Sequence, residues 1–229
     1  KMHQQIDKKK KIYLYLLIFF LLSTFNNIKL ISSNFLKFNI NQIRVSGLSE
    51  NNNFYISEEI KTLLLENIFL VKKEFFSQIL KKNNLIKSFE IKKIYPDTIE
   101  IKIKKADFLG ITNIDGSFYF IGSNGKLIYT NTFDKKIPYV FGKVDIDEYI
   151  EFVKAINESR FDLNTISEIY FFPSGRWDIK TKDKKLLKLP IDNFETKLNL
   201  IYELYQSEKF KNVETIDFRF QNKIITTYE

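Results

Sequence analysis

Between Thr98 and Lys104, isoleucine recurs at every second position (Ile99, Ile101, Ile103), and Glu100, Lys102 and Lys104 fill the gaps. Strict alternation has the period of a β-strand, whose successive side chains point to opposite faces. Such a segment is satisfied by a sheet with one buried and one wet face. The stretch before it, Ile86–Ile94, alternates in the same way, with Phe89 and Ile91 set against Glu90 and Lys92. Pro96-Asp97 supplies a turn between the two runs, so they read as an antiparallel pair. A one-faced sheet needs a cover. Ser57 reads as a helix N-cap with Glu58 and Glu59 in the first turn, after a polar loop "NNNF", and Ile60, Leu63 and Leu64 follow at helical spacing. Phe75, Phe76, Ile79 and Leu80 mark one face of a second helix. "INQIRVSG" (Ile40–Gly47) reads as a further strand closed by Gly47. The spacing predicts a compact β-α-α-β-β unit over residues 40–105.

Residues 106–229 predict a second unit of mixed composition. Asn124-Gly125 lies between two apolar runs and is the strongest short hairpin signal. Ile146, Tyr149, Ile150, Val153 and Ile156 place an amphipathic helix, and Phe194, Leu198, Ile201 and Tyr205 place another. "EIYFFPSGRWDIKTKDKKLLKLP" reads as three short strands, broken at Pro173-Ser174-Gly175 and at Lys182-Asp183. The chain closes with two strands about a Gln221-Asn222 turn. Trp177 reads first as a core residue with Arg176 stacked or paired beside it, and second as part of a surface anchor, since Trp and Arg are both favoured at interfaces. Ile224–Tyr228 combines high β-propensity with no internal charge and no proline. Such a strand is either interior or an edge kept open for pairing. The alternation leaves both open.

The N-terminus is different in kind. Half of the chain's net charge of +8 sits in residues 1–11, where five lysines face Asp7 alone. An unbroken apolar stretch follows, Ile12–Phe25, including Ile12, Leu16, Phe19, Phe20, Leu22 and Phe25. Three readings compete: a signal peptide, a buried core helix, or a membrane anchor extended to residue 31. No small-residue cleavage site follows, and a core helix leaves the lysine run unexplained. The anchor reading, 12–31 with a cytoplasmic tail 1–11, takes its orientation from the positive-inside rule and puts the bulk of the chain outside the cytoplasm.

Little chemistry is on offer. The chain has no cysteine, and its one histidine is His3 in the tail. A His-based triad, a thiolate metal site and a cysteine nucleophile are thereby excluded from the exported part. The seven glycines are scattered at turns rather than gathered in a phosphate loop. Acidic clusters such as Asp145/Asp147/Glu148 sit at helix starts, where capping accounts for them. The basic balance comes without a Lys/Arg-rich motif, so no nucleic-acid partner is expected. Acidic-pair hydrolysis of a glycan stays formally open, and nothing in the spacing supports it.

Seven stretches in order then resemble the FtsQ/DivIB family of bacterial cell-division proteins. They are "IRVSGL" (Ile43–Leu48), "ISEEI" (Ile56–Ile60), "IKKIYPDTIEIKI" (Ile91–Ile103), "KIPYVFG" (Lys136–Gly142), "GRWDIKT" (Gly175–Thr181), "LKLP" (Leu187–Pro190) and "IDFRF" (Ile216–Phe220). The last three look like the Gram-negative branch. The resemblance implies an α+β chain: an N-terminal transmembrane helix, a POTRA domain at 40–105 and a mixed α/β domain at 106–229 built on an extended antiparallel sheet. It implies a non-enzymatic divisome scaffold of the inner membrane, without cofactor, metal or small-molecule substrate, with FtsB and FtsL as partners at the C-terminal sheet edge and other division proteins elsewhere. The family's partner site falls on Arg176, Phe220, Asn222 and Tyr228, and strand pairing adds Lys223, Ile224 and Ile225. It favours the edge reading of Ile224–Tyr228. The chain departs from the family pattern at Lys104 and Asp107, where a Glu and then a Pro are usual, and at Lys223, where glycine is common. A POTRA-bearing chaperone or translocation component is the alternative, weakened by the lack of POTRA repeats and of a membrane barrel.

Overall fold

A computed structural model describes residues 8–25, 38–64, 66–132, 134, 136–220 and 223–228. The first unit consists of β1 (Gln42–Ser46), α2 (Glu50–Ile60), α3 (Lys73–Lys82), β2 (Ile86–Ile94) and β3 (Thr98–Lys105). Its three strands run in the order β1-β3-β2, with β3 parallel to β1 and antiparallel to β2. The isoleucine strand is therefore the central one, paired on both sides. Ile99, Ile101 and Ile103 are buried against Ile56 and Ile60 of α2 and Phe76 and Leu80 of α3. Each such burial stabilises the unit by roughly 1.5–3 kcal/mol relative to exposure. Glu100 and Lys102 face outward and pair at 3.6 Å.

The first helix of this unit starts earlier than its sequence suggests. Asn51–Phe54 are helical rather than a loop, and the N-cap position is Ser49 rather than Ser57. The reason is Asn53. Its side chain accepts from the Leu48 backbone N–H at 3.2 Å and donates to the Leu48 carbonyl at 3.0 Å, fixing the chain's approach to the first turn. Ser57 sits mid-helix and donates back to the Phe54 carbonyl at 2.8 Å, and Glu58 lies near the C-terminal end, paired with Lys61. Gly47 closes β1 with φ +110°, and a Cβ there would lie 1.8 Å from the Ile103 carbonyl oxygen, so β1 can turn away beside β3 only at glycine.

The second unit is a nine-stranded sheet: β4 (Phe108–Ile114), β5 (Ser117–Gly122), β6 (Leu127–Thr130), β7 (Tyr139–Phe141), β8 (Ile166–Phe171), β9 (Trp177–Thr181), β10 (Leu186–Lys188), β11 (Thr215–Asp217) and β12 (Ile225–Thr227). The order is β12-β11-β10-β9-β8-β7-β4-β5-β6. The expectation of an extended antiparallel sheet is corrected: β4/β7, β7/β8 and β10/β11 pair in parallel. Two of these follow from helical crossovers, α4 (Ile146–Glu158) between β7 and β8 and α5 (Phe194–Gln206) between β10 and β11. A helix between two strands returns the chain to the same end of the sheet, so the strands run parallel.

Both helices cover one face. Asp145 caps α4, accepting from the N–H groups of Asp147 (2.9 Å) and Glu148 (3.3 Å), as the acidic run predicted. Beneath them Trp177, 3% exposed, stacks on Phe152 with ring centroids 4.3 Å apart. Ile169, Ile179, Leu187 and Ile216 extend this layer across the sheet against Leu198 and Ile201.

The expected hairpin at Asn124-Gly125 joins β5 to β6, and it also ties the two units together. The Asn124 amide donates to the carbonyls of Asn84 and Ile86, both at 2.9 Å. Asn84 answers with a bond to the Leu127 carbonyl at 2.8 Å. Lys87 donates to Asp107 at 3.3 Å, and this bond leads in holding the Asp107 carboxyl below the usual carboxylate range. The unusual Asp107 thus takes its cation from β2 rather than from Lys104.

At the N-terminus α1 spans Lys8–Phe25. It begins before the expected Ile12, and residues 26–31 of the expected anchor lie outside the described residues. At about 1.5 Å per residue the Ile12–Phe25 part falls short of a hydrocarbon core of roughly 30 Å. No helix among the described residues is long and apolar enough to cross a membrane.

Gly142 tests the close packing of the second unit. It has φ +99°, and a Cβ there would lie 2.2 Å from the Phe171 carbonyl oxygen. Gly142→Ala is expected to cost about 1–3 kcal/mol, read as a lower urea midpoint by fluorescence of the single tryptophan.

Candidate functional site

β12 is the last strand of the large sheet. It pairs antiparallel with β11 in the register Thr215↔Thr227, Ile216↔Thr226, Asp217↔Ile225. Its outer side has no partner strand among the described residues. An edge strand leaves alternate backbone N–H and C=O groups pointing away from the sheet, where a second chain can pair with them. No proline and no charged residue interrupts Ile224–Tyr228, so two usual protections of an edge are missing. Glu214 N–H closes the end of the strand on the Thr227 carbonyl at 3.0 Å.

The register sorts the predicted residues onto two faces. Thr226 lies opposite the core residue Ile216, so Ile224, Thr226 and Tyr228 belong to the helix-covered side. There Phe220, Lys223, Ile224 and Tyr228 line one groove of about 600 Å³. Its opposite wall is α5, through Leu200 and Leu204, with Lys197 and Lys209 at the rim. Phe220 and Tyr228 are 42% and 64% exposed, and the Lys223 ammonium stands 4.9 Å from the Phe220 ring centre. This is an apolar trough bordered by cations, open along a strand edge. Asn222 lies outside the described residues.

Arg176 and Ile225 are on the other, helix-free face. Arg176 Nε and Nη2 donate to the Asp178 carboxylate at 3.1 and 3.3 Å, and its guanidinium lies 3.9 Å over the Phe172 ring. Pairing through Lys188 carries the row from Asp178 to Asp217, and Asp217 pairs with Ile225. Arg176 therefore stands three strands in from β12, roughly 14 Å at the usual strand spacing. It shares a face with Ile225 but not the groove of Phe220 and Tyr228. The expected site is two patches on either side of one edge.

The residues that sequence reasoning missed are Leu200 and Leu204, together with the two buried aspartates. Leu200 and Leu204 are four apart on α5 and fall beside the stripe of Leu198 and Ile201 that reaches the core, which is the signal that marks a second apolar face. Asp178 and Asp217 each sit two residues from the arginine that pairs with them. Burial raises the Asp178 carboxyl, and Arg176 only partly opposes it. At Asp217 burial acts in the same sense, but hydrogen bonds from the Arg219 side chain and backbone N–H win and hold it below the usual range. Among the described residues no group of three or more His, Cys, Asp or Glu side chains is placed to hold a metal ion. The site's means are backbone pairing, apolar contact and fixed charge.

The profile described as "POTRA domain, FtsQ-type" matches residues 38–105, and that described as "Cell division protein FtsQ/DivIB, C-terminal" matches residues 110–219. This chain belongs to the FtsQ/DivIB family. Its first unit is a POTRA domain, and the second is the family's C-terminal domain, in an α+β chain. Cell division protein FtsQ of Rickettsia bellii (strain RML369-C) is 28% identical over 162 residues, which cover 69% of this chain and 60% of that protein. The protein of the same name from Rickettsia prowazekii (strain Madrid E) is 23% identical over 205 residues, 82% of this chain and 72% of the relative. The chain thus spans about three fifths of the length of the Rickettsia bellii protein it matches. A solved structure of the major extracytoplasmic domain of the trans isomer of DivIB from Geobacillus stearothermophilus overlaps 47% of this chain and 98% of its own, at 20% identity and a TM-score of 0.36. That likeness is too loose to bear on the fold.

The Asp217–Arg219 pair gives a pH test. A carboxyl held low in the folded state stabilises the fold above the ordinary carboxylate range, and the contribution is lost as pH falls through the folded value. Arg219→Ala is expected to cost about 1–3 kcal/mol near neutrality by stranding Asp217. Urea unfolding at decreasing pH should show the gap to the native chain closing as Asp217 protonates.

Proposed function

We propose that this chain is a non-enzymatic scaffold of the cell-division machinery that acts at the septum. It binds FtsB, in complex with FtsL, by adding a strand of the partner to the free side of β12. The observation that carries the reading is the placement of β12 at one of the sheet's two unpaired ends with the cation-bordered groove beside it, which the β6 end is not seen to share among the described residues. In β-augmentation the main chain supplies affinity, and pockets for alternate side chains supply specificity. On this reading Phe220, Lys223, Ile224 and Tyr228 receive the partner's side chains on the helix side. Ile225 meets the strand on the other face; Arg176, three strands in, is met by a part of the partner that lies across the sheet beyond the added strand, and Asn222 is assigned to the site by its place in the sequence before β12.

The chain is held in the inner membrane by residues 12–31, with residues 1–11 in the cytoplasm and both folded domains in the periplasm. Support comes from the lysine run placed directly before an apolar stretch, which fits the positive-inside rule. The POTRA domain and anchor remain available to other membrane proteins of the division apparatus. Septal enrichment is checked by a fluorescent fusion at midcell, with filamentation on depletion.

Main-chain pairing tolerates side-chain change but not proline, which lacks the N–H and clashes in the ladder. Ile225→Pro is expected to abolish capture of FtsB in a pull-down, with tryptophan fluorescence checking that the Trp177 core stays folded when the edge is disrupted. Undiminished capture would sink the proposal. Arg176→Glu is expected to weaken binding about tenfold or more, on the order of 1.4 kcal/mol or above, and an unchanged affinity would remove Arg176 from the site.

A further inference from the structure

The POTRA domain has two poles, and they differ in chemistry. β3 runs from Thr98 at one pole to Lys105 at the other, about 25 Å at the usual rise per residue. At the Lys105 pole the chain passes directly into β4, and the Asn124 hairpin clamps the second domain there. The chain arriving from α1 comes in at the Thr98 pole. Asn41 N–H donates to the Asp97 carbonyl at 2.9 Å, Ile40 N–H to the Glu66 carbonyl at 2.9 Å, and Ile68 N–H to the Phe38 carbonyl at 2.8 Å.

That arriving pole carries an exposed apolar projection. Phe69, Leu70 and Tyr95 are 55%, 75% and 55% exposed. The rings form a rigid stack: Phe38 meets Phe69 edge-on at 5.1 Å, and Phe69 stacks on Tyr95 at 4.9 Å. Residues 68–70 form a turn closed by the Leu70 N–H on the Asn67 carbonyl at 2.9 Å, and Leu70 is its most exposed side chain. Lys72 and Lys73 are exposed immediately beyond, while Lys93 is bound to the Val71 carbonyl at 2.8 Å. The carboxylates of this pole are Glu66 and Glu74, both exposed, Glu74 directly following Lys73, and Asp97, which accepts from Asn41 at 3.2 Å and Thr98 at 3.0 Å.

We propose that Phe69, Leu70 and Tyr95 insert into the outer leaflet of the membrane and set the POTRA domain upright on the lipid surface. This rests on the reading of residues 12–31 as an anchor. Three features select lipid over a protein partner. The patch lies at the pole where the chain arrives from the anchor, with six residues, 32–37, between the anchor and Phe38. That tether spans at most about 25 Å, so it keeps the pole near the bilayer without deciding which side faces it. The patch is a projection of Phe, Tyr and Leu, the residues that partition to the depth where acyl chains meet headgroups. Its nearest exposed cations, Lys72 and Lys73, stand at headgroup level once Leu70 is inserted. Insertion at one pole and the hairpin clamp at the other then hold the C-terminal domain, and β12 with it, at a set height above the bilayer.

The chain contains no cysteine, so Leu70→Cys creates a single labelling site, and Leu70 is exposed enough to be replaced without unfolding. The full chain is reconstituted into phosphatidylethanolamine/phosphatidylglycerol vesicles. A nitroxide at position 70 is compared with one at Lys104→Cys, an exposed site toward the opposite pole. The ratio of oxygen to water-soluble nickel-complex accessibility is expected to be several-fold higher at 70 than at 104. It should persist when phosphatidylglycerol is replaced by phosphatidylcholine, because apolar insertion dominates. Equal ratios in vesicles that retain the chain through an alkaline wash overturn this inference and leave the anchor standing. Loss of the chain in that wash overturns both. A spin label at 70 that is immobilised but nickel-accessible, and is freed on dilution of the protein in the bilayer, marks a contact between copies and also overturns it.

Discussion

Each sheet in this protein is buried on one face by two helices, and that single constraint organises the rest. In the POTRA domain α2 and α3 close over Ile99, Ile101 and Ile103. In the C-terminal domain α4 and α5 close over the layer running from Ile169 through Trp177 and Leu187 to Ile216. Neither sheet closes on itself among the described residues, so the outer strands remain edges. The crossover helices also fix strand direction and order, which places β12, the last strand of the chain, at one end of the large sheet.

An edge of this kind couples two surfaces of different character. On the helix side, the trough between β12 and α5 has an apolar floor and a cationic rim. On the open side, charge is arranged in rows across strands, with Arg176–Asp178 and Asp217–Arg219 on either side of Lys188. These pairs are largely spent on one another. The buried aspartates hold the arginines in place, and the arginines offset the cost of burying the carboxylates. A partner strand lying along β12 would meet both surfaces, since its side chains alternate between them.

The two domains meet through hydrogen bonds rather than through a shared hydrophobic core. The Asn124 hairpin reaches carbonyls at the α3–β2 connection, and Lys87 reaches Asp107 just past β3. These bonds lie close to the covalent crossing at Lys105, so they brace the one place where the chain would otherwise swivel. The isoleucine strand is therefore both core and strut. Its inward face holds α2 and α3, and its ends mark the pole where the chain comes in and the pole where it leaves.

Local pattern was enough for the β-α-α-β-β order, for the two amphipathic helices with Asp145 as a cap, for the hairpin at Asn124-Gly125 and for Trp177 as core. Those features depend on side chains within a few residues of one another, and alternation or helical spacing reports them directly. The start of α2 was misplaced because three consecutive asparagines read as a loop, whereas Asn53 spends its amide on the backbone of Leu48. Parallel pairing at β10/β11 and the division of Arg176 and Tyr228 between two faces were not legible. Strand neighbours and facing depend on where a crossover helix sets the chain down. The sequence by itself determined which segments are strands and helices, which of their faces are apolar, and that Ile224–Tyr228 lacks protection against pairing. Only the tertiary structure decided that this strand lies at an edge, because being an edge is a property of which strands stand beside it.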